Sequence, residues 1–200
     1  MTRASIMIVL LGSLATTPAT ALVEPKSGTE YPDQIPIETP AGPATLVATG
    51  AGLREKTMMK VDIYTIVSYV DGAADLGADP VAAILALDAP KRLQMDLRRS
   101  FGRDKLVDTF VKTIAANFDD QTPFADDLAS FLAYFDQDAQ DGDVLVFDYV
   151  PQAGLTTSLN GEVKGVIQNV AFVGALWSVW FGKRPADDHL TRALVSQTAR

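Results

Sequence analysis

The stretch TGAGLREKTMMKVDIYTIVSYV (residues 49–70) sets a glycine pair and a lone arginine, Arg54, ahead of a long run of β-branched and aromatic residues. Residues 44–49, ATLVAT, read as a strand that ends in a turn at Gly50-Ala51-Gly52. Residues 58–70 read as a second strand that stops at the turn pair Asp71-Gly72. The spacing predicts two neighbouring strands joined through the glycine turn, with Arg54 beside that turn. A guanidinium there offers five fixed donors to a carboxylate, phenolate or enolate oxygen without needing a pKa shift. Such a group suits an anion holder or a stabiliser of developing oxyanion charge. The structural alternative is an exposed turn arginine paired with Glu55, worth little.

Downstream, Pro80 opens a short helix, PVAAILAL, with proline at its first position. KRLQMDLRRS (residues 91–100) alternates Leu93, Met95 and Leu97 with polar residues, the mark of a strand with one buried face. Residues 104–118 place Leu106, Val107, Phe110, Val111, Ile114 and Phe118 at helical spacing. Thr122-Pro123 then starts a second helix carrying Leu128, Phe131, Leu132 and Phe135. The strand DVLVFDYV follows Asp141-Gly142, and Asn160-Gly161 between LTTSL and EVKGVI is a strong hairpin signal. The nearly apolar NVAFVGALWSVWFG ends at Gly182, and a last helix begins near Pro185. Strands, helices, strands and helices in that order, without βαβ repeats, predict an α+β fold in which an antiparallel sheet carries helices on one face.

Upstream, the chain opens with a basic start at Arg3, an apolar run SIMIVLLGSLA and the small-residue triplet Ala19-Thr20-Ala21. This pattern predicts a signal peptide over residues 1–21, cleaved near Ala21, and a periplasmic or secreted product. The apolar run is roughly a dozen residues, short of the roughly twenty that span a bilayer, so no transmembrane span is expected in the mature chain. Residues 22–43, rich in proline and glycine, predict a poorly packed, extended lead-in with one edge strand near Ile35, and residues 44–200 form the domain proper.

The 200 residues, 48% of them apolar, suffice for a single well-filled core. A net charge of -8 argues against nucleic acid as a partner. The absence of cysteine excludes disulfides, thiol nucleophiles and thiolate zinc sites. His189 is the single histidine and stands without a nucleophile-elbow serine motif, so it reads as a surface residue. The acids Asp136, Asp138, Asp141 and Asp143 miss calcium-loop geometry: the third acid and the glycine each fall one place late, and Phe147 takes the place of the bidentate glutamate. Trp177 and Trp180 read as core of a helix rather than as a ligand cage, and as both where a cleft opens between that helix and the sheet.

In order and spacing, GAGLREK, DIYTIVSYV, KRLQMDLRRS, DGDVLVFDYVPQAGLTTSLNGEVKG and FVGALWSVWFGKRPADDHLTRALV together resemble the chalcone isomerase-like family, its exported bacterial branch in particular. The resemblance implies an open-faced β-sandwich, a large antiparallel sheet covered by a layer of helices, with a cleft between them. It implies no cofactor and no metal. Arg54 matches the arginine that steadies oxyanion charge in the isomerases and that meets the ligand carboxylate in the fatty-acid-binding relatives. The active enzymes carry a threonine on the next strand, where this chain has Tyr64 with Thr65 beside it, and a tyrosine before the long helix, which this chain lacks. The resemblance thus implies a small apolar or amphipathic ligand with an anionic head, held by Arg54, Tyr64 and Thr65 without catalysis. Two alternatives follow: an intramolecular lyase using Arg54, and a non-catalytic accessory protein with a filled cleft.

Overall fold

The computed structural model describes residues 20–56 and 61–198. A short hairpin, β1 (Ala21–Val23) and β2 (Glu30–Pro32), precedes β3 (Gln34–Thr39), β4 (Gly42–Lys56) and β5 (Val61–Asp71). Then come α1 (Pro80–Ala86), β6 (Lys91–Leu97), α2 (Arg103–Asn117), a 3₁₀ turn at Thr122–Phe124 and α3 (Ala125–Ala133). The chain closes with β7 (Val144–Val150), β8 (Gly154–Leu159), β9 (Glu162–Ile167), α4 (Val170–Phe181) and α5 (Asp188–Leu194). Strands β3 to β9 form one seven-stranded antiparallel sheet in sequential order. The α+β architecture expected from the pattern is the one observed.

Local sequence explains most of these elements. Asp79 caps α1 through Ala82 N, with Pro80 at its first position. Asn169 caps α4, and Asp187 caps α5 through the amides of His189 and Leu190. Asn160 and Gly161 both take positive φ (52° and 81°), the conformation of a tight type I′ hairpin. Because α4 is apolar on nearly every side, it is buried along most of its length between the sheet and α2. Phe110, Phe131, Phe147 and Trp180 meet edge-on or tilted at 5.1–6.3 Å beneath it.

The glycine segment departs from expectation. Residues 50–52 are not a turn; they lie inside β4, which runs unbroken from Gly42 to Lys56. The sequence between β4 and β5, including Met58 of the expected second strand, lies outside the described residues. The glycines are instead the landing site of α5. A Cβ on Gly50 would stand 2.1 Å from Ala193 O, and one on Gly52 would stand 2.7 Å from Leu190 Cδ1. A β-bulge between Ala48 and Gly50 leaves Thr49 as the extra residue. Its hydroxyl donates to Leu194 O at 2.7 Å, so helix and bulge are tied together.

The lead-in is also more ordered than composition suggested. Tyr31 is buried on the sheet face away from the helices, in a second cluster with Leu46, Val67 and Tyr69. Its hydroxyl donates to Asp96 Oδ2 at 2.5 Å and lies 2.8 Å from Thr65 Oγ1. The expected edge strand is β3, at one end of the sheet. Of the expected signal peptide, residues 1–19 lie outside the described residues, and Ala21 opens β1, paired with Pro32.

On β6 the alternation that buries Leu93, Met95 and Leu97 also buries Lys91. Its ammonium donates to Ile84 O at 3.0 Å and stands 4.9 Å from the Trp177 ring. Burial pulls its pKa down from 10.5 to about 8, with Asp88 opposing. Below about pH 8 both folded and unfolded chains carry the charge; between about 8 and 10.5 the unfolded chain binds more protons, so this group adds stability as pH rises. Denaturation of wild type and Lys91→Met across that window is therefore expected to show wild type gaining stability relative to the variant, with no such gain below it.

Candidate functional site

A cleft of about 340 Å³ opens between the helix-bearing face of the sheet and helices α2 and α4. This lies at the lower end of the range of about 300–1,000 Å³ usual for ligand pockets. Its walls are mostly apolar, with Ile63, Met95, Phe110, Val179 and Trp180 among them, and Arg54 and Tyr64 supply polar groups from the sheet. Arg54 and Tyr64 are direct cross-strand partners, so their side chains share a face. A second register irregularity, between Arg54 and Glu55 opposite Tyr64 and Asp62, leaves Ile63 without a partner on β4. Both Ile63 and Tyr64 consequently line the cleft, as do Arg54 and Glu55.

The Arg54 guanidinium is the unusual group. Its Nη1 is buried and makes no hydrogen bond among the described residues. The two acids that line the cleft are committed elsewhere. Glu55, the partner expected if Arg54 were only a surface charge, instead pairs with Lys26 of the lead-in. Asp187 accepts the amides of His189 at 2.8 Å and Leu190 at 3.2 Å as the cap of α5. No ion pair to Arg54 forms among the described residues.

Tyr64 is buried, and its oxygen accepts a hydrogen bond from Trp180 Nε1 at 3.1 Å. The indole takes one of the acceptor sites of this oxygen and the Arg54 guanidinium lies beside it, while the phenolic proton remains available to a group in the cleft. Burial raises the Tyr64 pKa and the Arg54 charge opposes the rise, so the hydroxyl stays protonated at neutral pH.

Thr65 does not join them. It projects to the opposite face of β5, where it is fully buried and its hydroxyl stands 2.8 Å from that of Tyr31. Successive strand residues face opposite ways, so Tyr64 and Thr65 could not both reach one cleft from regular pairing. Sequence reasoning missed Lys105, Thr109 and Phe101, which line the α2 side of the cleft, although Thr109 and Lys105 do stand one helical turn apart.

The remaining candidates are structural. His189 is exposed, its Nδ1 2.8 Å from Arg192 Nη2. Asp138 accepts Arg103 N at 2.9 Å and Asp143 accepts Gln140 N at 2.7 Å, so these acids brace the α3–β7 connection. No cluster of metal-ligating side chains occurs among the described residues. No helix among them is long and apolar enough to cross a membrane.

An antiparallel sheet with a helical cover, and a cleft between the two, define a layered fold of the α+β class. The chain belongs to the chalcone isomerase-like family, whose model matches residues 25–196. The match includes the lead-in from Pro25 onward, in keeping with its packing on the sheet. No curated protein matches the sequence. Among solved structures, a fatty-acid binding protein of Arabidopsis thaliana is similar in fold, with a TM-score of 0.71 at 16% identity over 90% of this chain and 98% of that one.

The bond between Tyr64 and Trp180 joins sheet to helix inside the core. Tyr64→Phe leaves the buried indole N–H without its acceptor and is expected to cost about 1–3 kcal/mol in urea denaturation, with the circular dichroism spectrum unchanged.

Proposed function

We propose that the protein binds, without transforming it, a small apolar molecule with an anionic head, a fatty-acid-like carboxylate being the best fit. One observation carries this reading: a buried guanidinium edge, Arg54 Nη1, without a partner in a largely apolar cleft. Leaving such a group unpaired costs free energy, and a bound carboxylate would accept from its fork while the Tyr64 hydroxyl donates alongside. The hydrocarbon would lie against the apolar walls. That a similar fold in Arabidopsis thaliana is a fatty-acid binding protein supports the same direction.

The other two readings have less support. Ring closure by an intramolecular lyase calls for hydroxyls beside the arginine, and of the two expected there Thr65 faces away, leaving Tyr64 alone. A filled, vestigial cleft would have Arg54 neutralised by an internal acid, yet both acids lining it are taken by other groups.

Calorimetric titration with a saturated carboxylate and with the alcohol of the same chain length tests the head-group role. Wild type is expected to prefer the carboxylate. Arg54→Ala is expected to weaken carboxylate binding at least about 30-fold, since removing one partner of a buried charge pair costs about 2 kcal/mol or more. Alcohol binding should change far less. Equal binding of both ligands by wild type and Arg54→Ala would sink the proposal.

The reading includes export. The basic start, apolar run and small-residue triplet of residues 1–21 support a cleaved leader. N-terminal sequencing of protein from a periplasmic extract is expected to begin at or near Leu22; a product retaining Met1 would refute export by this route.

A further inference from the structure

A second cavity, of about 270 Å³, shares a lining side chain with the cleft. That side chain is Leu106, in the second turn of α2, which lines both spaces. The second cavity has a mixed lining: Leu97, Phe135, Leu145 and Leu159 are apolar, while Asp136, Asp138 and Asp143 and a Glu162–Lys164 pair stand in the same wall. The backbone around Leu106 is firmly held. Phe101 and Ala139 exchange a pair of 3.0 Å backbone hydrogen bonds, and Asp138 Oδ1 accepts Arg103 N at 2.9 Å. Arg103 Nε also donates to Phe135 O. The start of α2 is thereby tied to the 135–139 segment, next to Leu106.

We propose that the second cavity is a tail subsite and that Leu106, by its rotamer and size, sets the longest hydrocarbon chain the protein accommodates. The inference rests on reading the cleft as the site of an anionic-headed ligand. Charge fixes the direction of insertion. Arg54 and Lys105 line the cleft, where Glu55 is paired with Lys26 and Asp187 caps α5; in the far cavity Lys164 is paired with Glu162 and three aspartates remain, so a carboxylate is favoured at the cleft end and repelled at the other. The methyl end of the chain is the part that suits the far side, against its leucines and Phe135. A side-chain rotation of this kind needs no movement of secondary structure and belongs to the fast end of protein motions. A short chain fits the cleft with Leu106 in place; a longer one displaces it and gains burial beyond.

Titration of octanoate and hexadecanoate, each kept below its aggregation concentration, into wild type, Leu106→Ala and Leu106→Phe tests the subsite. Each methylene that gains burial multiplies affinity about fourfold. The ratio of hexadecanoate to octanoate affinity is therefore expected to rise at least about tenfold in Leu106→Ala, as a few methylenes gain burial, and to fall by a similar factor in Leu106→Phe. A ratio that is unchanged, or that moves the same way in both variants, overturns the proposal. If Leu106→Ala does not fold, Leu106→Phe decides alone: a lower ratio supports the subsite and an unchanged one removes it. If neither carboxylate binds wild type, the anionic-ligand reading fails and this one with it. Binding that depends on Arg54 at both lengths, with a ratio insensitive to Leu106, overturns the tail subsite alone.

Discussion

The site depends on the bulge at Thr49. Ahead of it, Leu46 and Ala48 pair with Asp71 and Tyr69 and pack on the face covered by Tyr31; beyond it, Gly50, Gly52 and Arg54 pair with Ser68, Ile66 and Tyr64 on the helix-bearing face. Uninterrupted alternation from Leu46 would put Arg54 among the back-face residues, because a slip of one residue exchanges the two faces of a strand. The extra residue reverses the phase. Its hydroxyl bonds Leu194 O, while its own carbonyl accepts Gln197 N at 2.9 Å. The C-terminal end of α5 is therefore attached at the point where the strand changes phase, and the two bare glycines give the helix room to lie close.

The N-terminal hairpin contributes to the same site from outside it. Lys26 takes up Glu55, the acid next to Arg54 in sequence, while Tyr31 occupies Thr65 and Asp96 on the far face. The first pairing leaves Arg54 without its nearest counter-ion. The second anchors the hairpin that carries Lys26. A segment that reads as a proline-rich approach to the domain thus bears on the charge balance of a cleft formed by β4, β5, α2 and α4.

Features with a local cause were legible in the sequence. The heptad-like spacing of Leu106, Phe110 and Ile114 gave α2, Asn160-Gly161 gave the β8–β9 turn, and the alternation of KRLQMDL gave β6, since propensity and burial agree there. Gly50-Ala51-Gly52 misled because glycine marks a turn and a close approach equally well. Only the distant α5, which packs against it, separates the two. Arg54 and Tyr64 were legible as a pair through family resemblance. Thr65 was separable from them by strand parity alone, whereas the role of Leu106 was hidden, because a partition looks like any other apolar position of an amphipathic helix.

Lys91 and Arg54 differ in how their charge is met: the lysine is buried, whereas the arginine is half-buried with its Nη1 enclosed. Lys91, almost wholly buried, has the Ile84 carbonyl and the faces of Trp177 and Tyr149 around its ammonium, and burial still draws its pKa down to about 8. It can shed its proton when the environment disfavours charge. Arginine has no such escape at accessible pH, so a buried guanidinium must find acceptors or carry the cost of lacking them. Elsewhere on the sheet the acceptors are built in, as the Asp148 carboxylate is for the half-buried Arg92 at 2.5 and 2.7 Å. Arg54 has a cleft where those acceptors would stand. The same chain that supplies Arg92 with a two-oxygen partner leaves Arg54 Nη1 without a hydrogen bond among the described residues, and this is the edge that the proposed carboxylate would meet.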